Sequence, residues 1–184
     1  MDYSLKNIRI AGTGSAVPAK IVTNQDIINS GVDTDDTWIR ETLGIRERRV
    51  AENESASDLA ARAGLAALEN AGLDKEEVSL IVLATYTPDR KAPSTACLAK
   101  HKMGITNLCP AFDIVAICSG FMYSLAIAAN MIRSGAHTNA LVIASDVTSS
   151  LIDWTRRDCV FFGDGAGAVL LTASDYENSL FEAR

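Results

Sequence analysis

The sequence has few of the features that mark metal-binding, secreted or membrane-spanning proteins. It contains two histidines and four cysteines, and the cysteines show no CxxC spacing, so no zinc signature is present. No apolar stretch reaches the length of a signal peptide or of a membrane span, so we expect a cytoplasmic protein with reduced thiols and no membrane partner. The net charge of −6 argues against a nucleic-acid partner.

The composition that is present predicts a folded α/β domain. Hydrophobic residues make up 48% of the chain and charged residues 22%, values typical of globular proteins. Runs such as "SLIVLATY" and "ALVIASDV" are continuously apolar, as expected for strands covered on both faces. Such strands alternate with helical segments. We therefore predict a mostly parallel mixed sheet with helices on both faces.

The helix at residues 55–72 is predicted most clearly, since Ser55 and Asp58 fit a capping pattern and Gly72 closes it. Other segments follow the same logic. "IRIAGTGSAVP" predicts a short strand that breaks at Gly12, Gly14 and Pro18, and "IRERRV" predicts an edge strand. Further helices are predicted at residues 24–31, 33–44, 93–104 and 119–134, and further strands at "AFDIVAI" and "GAVLLTA".

The glycine-rich segment "FGDGAGAVLL" invites a dinucleotide-binding interpretation. A phosphate-binding loop should lie between a strand and a helix, whereas these glycines lead into another strand-like run. The sequence therefore favours a tight turn whose glycines allow close backbone approach.

Cys118 lies where the apolar run "FDIVAI" meets the helix predicted to begin at Ser119. Free amide groups at the start of a helix favour a thiolate and could stabilise an oxyanion on an acyl group bound to the sulfur. Free cysteines, however, are usually buried and inert. The residues alone leave the two interpretations equally supported.

The other candidate groups favour structural interpretations. Cys97, Cys109 and Cys159 lack the setting of Cys118, and His101 and His137 are predicted on the solvated surface. Arginines and lysines form three small groups, which are solvated faces unless folding gathers some of them around a phosphorylated ligand. They are Arg46, Arg48 and Arg49, then Arg90 and Lys91, then Arg156 and Arg157.

Seven segments, in order, resemble the N-terminal half of the β-ketoacyl-acyl-carrier-protein synthase III family. They are "IAGTGSAVP", "TNQDI", "VDTDDTWI", "GIRERRV", "CPAFDIVAICSGF", "ASDV" and "FGDGAGAVLL". The resemblance covers essentially the whole chain, and the ordered set is specific although no single piece is. It implies a thiolase-like fold and a homodimeric acyltransferase of fatty-acid biosynthesis. Such an enzyme takes an acyl group from acyl-CoA and condenses it with malonyl-acyl-carrier protein, releasing CO2.

The resemblance also implies roles for four residues. Cys118 in "AICSGF" corresponds to the acyl-accepting nucleophile. Trp38 in "DTWI" and Arg157 in "WTRRD" correspond to the residues that sandwich the adenine of coenzyme A, and Thr34 corresponds to a further coenzyme A contact. Acyl-carrier protein and acyl-CoA are the implied partners, with no resident cofactor and no metal.

Condensation in the family also needs a histidine and an asparagine that are carried by a second half of similar fold. We therefore expect residues 1–184 to form the N-terminal thiolase-like domain, without those two residues. Two alternatives remain. One is an acyltransferase of the same fold that moves the acyl group to an alcohol or amine. The other is a non-catalytic half that serves as a structural or dimerisation partner.

Overall fold

The computed structural model describes residues 7–174, which form seven β-strands and five α-helices. Numbered in chain order, the strands are β1 (Asn7–Ala16), β2 (Lys20–Thr23), β3 (Glu47–Val50), β4 (Leu80–Ala84), β5 (Ala111–Ile114), β6 (Asn139–Val147) and β7 (Asp164–Ser174). The helices are α1 (Asn24–Asn29), α2 (Asp36–Trp38), α3 (Ala56–Ala71), α4 (Thr95–Lys102) and α5 (Gly120–Arg133). All the predicted helices and strands are present, and β2 is an additional strand. Within residues 7–174, no helix is long and apolar enough to cross a bilayer.

The main sheet has the strand order β1-β7-β6-β4-β5. Strand β4 pairs in parallel with both β5 and β6, while β7 is antiparallel to both of its neighbours, β6 and β1. Four of the five strands therefore run in one direction and only β7 is reversed, which confirms the predicted mixed, mostly parallel sheet. Strands β2 and β3 form a separate antiparallel pair, as the predicted edge-strand character of "IRERRV" requires.

Helices cover both faces of the sheet, as predicted. Ile81 and Leu83 of β4 belong to the same buried cluster as residues of α3 and α4. Leu80 and Val82 belong to a second cluster, which is formed with α5. Since alternate side chains of a strand point to opposite faces, this division explains why the β4 sequence is apolar at every position.

The prediction that the first strand breaks at Gly12 and Gly14 is wrong, because β1 continues to Ala16. Its register against β7 shifts once, between Ile10 and Gly12. The two glycines are there because the backbone of α3 lies directly on β1. A Cβ atom at Gly14 would lie 2.2 Å from the Ala63 carbonyl oxygen, and one at Gly12 would lie 2.4 Å from the equivalent atom of Ala67.

The predicted tight turn at "FGDGAGA" is also wrong. Strand β7 begins at Asp164, and within it Gly165 pairs with Asp146 of β6 while Gly167 pairs with Ser15 of β1. Hydrogen bonding to strands on both sides holds this segment extended despite the low strand preference of glycine. Because Gly165 and Gly167 lie inside a strand, Gly163 directly precedes it and no helix follows them directly, the dinucleotide-loop interpretation does not apply.

Candidate active site

The carboxyl ends of β4, β5 and β6 lie at one edge of the sheet, because these strands are parallel. Two carboxylates fasten the loops there. Asp146 accepts hydrogen bonds from the Thr85 hydroxyl and the Tyr86 amide, both at 2.9 Å. Asp164 accepts a hydrogen bond from the Ser149 amide at 2.8 Å and another from the Ser149 hydroxyl. This edge, where ligands bind in open α/β sheets, is therefore built on tethered loops.

Cys118 follows β5 at this same edge. A single 3₁₀ turn, Ile117–Ser119, connects the strand to α5, and the Cys118 side chain in that turn is exposed. The Gly120 amide donates to the Ile117 carbonyl, so the turn leads into the helix without a break. The structure thus places the thiol at the strand-to-helix junction that the sequence predicts, and it places it at the surface rather than in the core.

The backbone of Ile117, immediately before the thiol, is strained. Its φ angle is +45°, in the left-handed region that β-branched residues avoid. The Ile117 side chain is 67% exposed, so burial of that side chain does not offset the strain. Strain of this kind is concentrated at functional sites, where the surrounding structure holds it. Sequence reasoning missed this feature, since isoleucine gives no hint of a left-handed conformation.

The start of α5 is uncapped and closely packed. Ser119 makes no side-chain hydrogen bond to the helix, so the first turn has no side-chain cap from that position. A Cβ atom at Gly120 would lie 3.0 Å from the Cβ of Ala84, so the glycine allows the helix to approach the end of β4. Amide groups and the positive end of the helix dipole are therefore directed toward the region of the thiol.

Helix α5 is less buried than its apolar sequence predicts. Leu125, Ala128 and Ile132 pack against the sheet, whereas Met122, Tyr123 and Ile127 are exposed in the structure of residues 7–174. We call the three exposed residues the α5 apolar face; Cys118 lies just beyond its N-terminal end.

Folding brings Trp38 and Arg157 together, although they are far apart in the sequence. The Arg157 guanidinium carbon lies 4.2 Å from the centroid of the Trp38 ring, a cation–π contact. Trp38 ends α2 and is half-buried, and Arg157 begins a 3₁₀ segment, Arg157–Phe161, with its side chain exposed. We call this pair the clamp.

Thr34 precedes α2 and differs from the clamp residues in its accessibility. Its backbone amide donates to the Val32 carbonyl at 2.9 Å, while its hydroxyl oxygen is buried and has no hydrogen-bond partner. The Thr34 hydroxyl is therefore inaccessible to a ligand in this conformation. A contact between coenzyme A and this hydroxyl would require a local shift.

Arg48 contradicts the expectation that every arginine group forms a solvated face. Its side chain is buried, and burial lowers the pKa of the guanidinium below its ordinary value. The only signal in the sequence is the alternation of "ERRV", which puts Arg48 on the same face of β3 as Val50. Sequence reasoning did not use that signal.

The remaining cysteines differ from Cys118. Cys159 is buried and Cys109 is half-buried, and desolvation raises the pKa of both thiols, as expected for inert packing residues. Cys97 is exposed, and its sulfur donates to the Ala111 carbonyl at 3.4 Å. Within residues 7–174, no group of three or more His, Cys, Asp or Glu side chains is arranged to hold a metal ion.

Both histidines lie toward the opposite edge of the sheet from Cys118. His137, which is half-buried rather than fully solvated, precedes β6 and lines a cleft with Val78 and Pro110, at the amino ends of β4 and β5. His101 is exposed in the last turn of α4, whose neighbouring Lys100 donates to the Cys109 carbonyl, before β5. Neither histidine is placed to act as a base for Cys118.

Comparison with known proteins assigns the chain to a family. The profile of the thiolase N-terminal domain matches residues 39–147, and that of 3-oxoacyl-[acyl-carrier-protein (ACP)] synthase III matches residues 112–184. A β-ketoacyl-[acyl-carrier-protein] synthase III of Neisseria meningitidis serogroup B is 54% identical over 169 residues, which are 91% of this chain and 52% of that protein. The chain spans about half the length of the curated relatives it matches.

Solved structures give the same result. The 3-oxoacyl-[acyl-carrier-protein] synthase III of Aquifex aeolicus VF5 superposes with a TM-score of 0.88 at 46% identity, covering 92% of this chain and 55% of that one. The enzyme of the same name from Pseudomonas aeruginosa PAO1 gives 0.86 at 38% identity, covering 94% and 53%. With its mixed sheet, its helices on both faces and the thiolase match over residues 39–147, the chain belongs to the thiolase family, and within it the chain is similar to the N-terminal half of β-ketoacyl-acyl-carrier-protein synthase III.

Proposed function

We propose that this chain is the acyl-accepting half of an enzyme that condenses an acyl-CoA primer with malonyl-acyl-carrier protein. The observation that carries the proposal is the exposed Cys118 on a strained turn at the uncapped start of α5. The family membership of this chain and the presence of the clamp on the same chain support the proposal. In the first step the Cys118 thiolate attacks the thioester carbonyl, the bond to the coenzyme A sulfur breaks, and the coenzyme A thiolate takes up a proton.

The start of α5 supplies the electrostatic part of this step. A tetrahedral intermediate on the Cys118 sulfur carries a negative oxygen, and amide groups at a helix N-terminus stabilise such an oxyanion. The start of α5 therefore assists the addition of the sulfur to the thioester carbonyl.

The clamp binds the adenine of coenzyme A in this proposal. Stacking on both faces of a base requires about 7 Å between Trp38 and Arg157, since each contact takes about 3.5 Å. The present separation is 4.2 Å, so the pair is closed. Arg157 is exposed and half-buried Trp38 packs against the small core around Ile39, so Arg157 is the side that moves when the base enters.

Condensation requires groups that residues 1–184 do not supply in this proposal. The family resemblance implies a histidine and an asparagine on a second domain, whose donors stabilise the enolate formed when malonyl loses CO2. The α5 apolar face is the surface that this second domain covers, because exposed apolar residues in a cluster mark an interface. A homodimer completes the assembly.

Acetylation of Cys118 tests the proposal. The chain, assembled with its second domain, is incubated with acetyl-CoA and its intact mass is measured. We expect one acetyl group on the protein and on the Cys97→Ala control, whose cysteine is also exposed. We expect none on Cys118→Ala. Absence of any adduct from a well-folded assembly would rule the proposal out.

Malonyl-acyl-carrier protein then distinguishes condensation from simple transfer. Loss of the acetyl group with release of CO2 supports condensation. Loss of the acetyl group to an added alcohol or amine, without CO2, would replace it with the related acyltransferase activity.

A further inference from the structure

We infer that Arg48 and Asn24 are positioning residues that hold the two walls of the clamp, the backbone segments that carry Trp38 and Arg157, at a fixed distance, so that an adenine nucleotide can enter when the Arg157 side chain moves. The inference rests on the proposed function, since it concerns how the clamp receives coenzyme A. The hydrogen bonds of Arg48 and Asn24 in the described part of the chain go to residues other than Trp38 and Arg157. Their effect is exerted through the backbone segments that carry the stacked side chains.

Arg48 connects to the wall that carries Arg157. Its side chain is only 6% exposed. One terminal nitrogen donates to the Val160 carbonyl at 3.1 Å, and Val160 lies in the same 3₁₀ segment as Arg157. The other terminal nitrogen donates to the Val22 carbonyl of β2 at 3.3 Å. The Arg157 segment is thereby fixed to the two-stranded sheet.

Asn24 connects Arg48 to the wall that carries Trp38. It is 1% exposed, and its side-chain oxygen accepts from Arg48 at 2.9 Å. Its side-chain amide donates to the Asp36 carboxylate at 2.8 Å and to the Ile45 carbonyl at 2.9 Å. Asp36 begins the helix that Trp38 ends, and Ile45 follows the π-helical turn after it. The segment carrying Trp38 is thus held at both ends.

The resulting chain of hydrogen bonds runs from Val160 through Arg48 and Asn24 to Asp36. A buried cation is a costly way to gain stability alone, because well-packed apolar residues do as well or better. The Nε of Arg48 has no hydrogen-bond partner, which adds to that cost. What an apolar residue would not provide is a planar fork of donors that joins separate backbone segments in one geometry. The spacing of the two backbone segments is the property that this geometry fixes, while the exposed Arg157 side chain remains able to move.

This chain of hydrogen bonds from Val160 to Asp36, which we call the bridge, has a specific consequence for substrates. Coenzyme A and pantetheine carry the same reactive thiol, but only coenzyme A carries the adenine nucleotide that enters the clamp. Loss of the bridge should weaken binding of coenzyme A and slow acylation of Cys118 by acetyl-CoA. Acylation by acetyl-pantetheine, which does not use the clamp, should be unchanged.

Four variants of the assembled protein separate positioning from general stability. Arg48→Met removes the fork, and Arg48→Lys keeps the charge with a single donor group. Asn24→Asp still accepts from Arg48 but places a carboxylate against Asp36. Arg49→Met is the matched control, because Arg49 is the neighbouring residue on β3, is half-buried, and makes only long contacts, at 3.4 Å to the Pro18 carbonyl and 3.5 Å to Glu47.

The readouts are the dissociation constant of coenzyme A by calorimetry, the acylation rates with both donors, and thermal unfolding. We expect Arg48→Met and Asn24→Asp to raise the dissociation constant about tenfold or more, Arg48→Lys to raise it less, and Arg49→Met to leave it unchanged. The ratio of the acylation rate with acetyl-CoA to the rate with acetyl-pantetheine should fall as the affinity for coenzyme A falls.

An equal loss of rate with both donors, or unchanged affinity in folded Arg48→Met and Asn24→Asp, would overturn the inference. If Arg48→Met does not fold, Asn24→Asp and Arg48→Lys decide. If neither donor acylates the unsubstituted protein, the proposed function fails, while the calorimetric titration still tests the bridge.

Discussion

Ile117 directly precedes the candidate nucleophile, Cys118, and its own backbone conformation is energetically unfavourable. A left-handed conformation costs a β-branched residue energy that glycine would not lose, and its side chain is largely exposed. The position therefore keeps a residue that is unfavourable for the stability of the turn.

Replacing Ile117 with glycine should stabilise the protein. Relief of the strain outweighs the greater freedom of glycine in the unfolded chain, and we expect the free energy of unfolding to rise by about 1 kcal/mol. Urea denaturation measures the change. Ile117→Ala, which keeps a Cβ atom, serves as the control and should not stabilise to the same extent. A destabilised Ile117→Gly protein would show that the turn is not strained.

Gly14 has the opposite character, because it cannot accept a side chain. A Cβ atom there would lie 2.2 Å from the Ala63 carbonyl oxygen and 2.4 Å from the Ala67 amide nitrogen, both backbone atoms of α3. We expect Gly14→Ala to lower the free energy of unfolding by about 3 kcal/mol, measured by denaturation.

Gly167→Ala is the matched control for Gly14→Ala. Gly167 is also a strand glycine, yet a Cβ atom there would meet nothing within 4 Å. Its replacement should change stability by less than about 1 kcal/mol. Similar losses at the two sites would mean that close packing against α3 is not the reason for Gly14.

At the scale of elements, the N-terminus of α3 depends on one carboxylate. Burial opposes ionisation of Asp58, but hydrogen bonds from Lys102 and from the Ser55 amide and hydroxyl outweigh it and lower the pKa to about 2. Because the folded-state pKa lies below the ordinary value, the stabilisation is complete above about pH 4 and is lost as the pH falls through 2.

Asp58→Asn should therefore cost stability only where Asp58 is ionised. We expect a loss of about 0.5 kcal/mol at pH 7, since the ion pair with Lys102 is more than one-third exposed and solvent screens it. Urea denaturation of both proteins between pH 7 and pH 2 measures the difference, which should shrink below about pH 4. A difference that is independent of pH would contradict the assignment.

The sequence predicts the elements well where periodicity and caps decide them. Helix α3 and strand β4 match their predictions. A capped amphipathic pattern favours a helix, and a short, continuous run of apolar residues between turn signals favours a strand covered on both faces. The predicted interruptions at the glycines of β1 and β7 are wrong because these glycines answer to tertiary structure. Helix α3 lies close against β1, and β7 pairs with a strand on each side. For the same reason the burial of Arg48 was not foreseen.

The candidate site was predictable only in part. Local reasoning about Cys118 left two interpretations open, and the family resemblance decided between them. The contact between Trp38 and Arg157 joins distant segments, so no local pattern reveals it. Ile117, Asn24 and Arg48 were missed because their importance lies in a backbone angle and in buried hydrogen bonds.

At the scale of the whole molecule, the α5 apolar face should govern assembly. Ile127 on this face is 40% exposed, and Leu65 on α3 is 41% exposed, so the two are matched in exposure. If the proposed function is right, we expect Ile127→Glu to prevent association with the second domain that it requires, because a carboxylate would be buried in the interface. Leu65→Glu should leave association intact.

Sedimentation velocity of the purified variants measures that association, with circular dichroism confirming that each variant is folded. Equal assembly of the two variants would remove the α5 apolar face from the interface.

The pairing of β1 with β7 brings Asn7 opposite Ser174, at the two ends of the described chain. Ribosomes make a protein from its N-terminus, so β1 emerges long before the strand it pairs with. Strands β4, β5 and β6 are closer together in the chain and are complete earlier, so they can pair with one another before the partner strand of β1 has been made. Synthesis that stops before residue 164 therefore releases a chain whose first strand has no neighbour in the sheet, which makes β7 the strand that completes the main sheet.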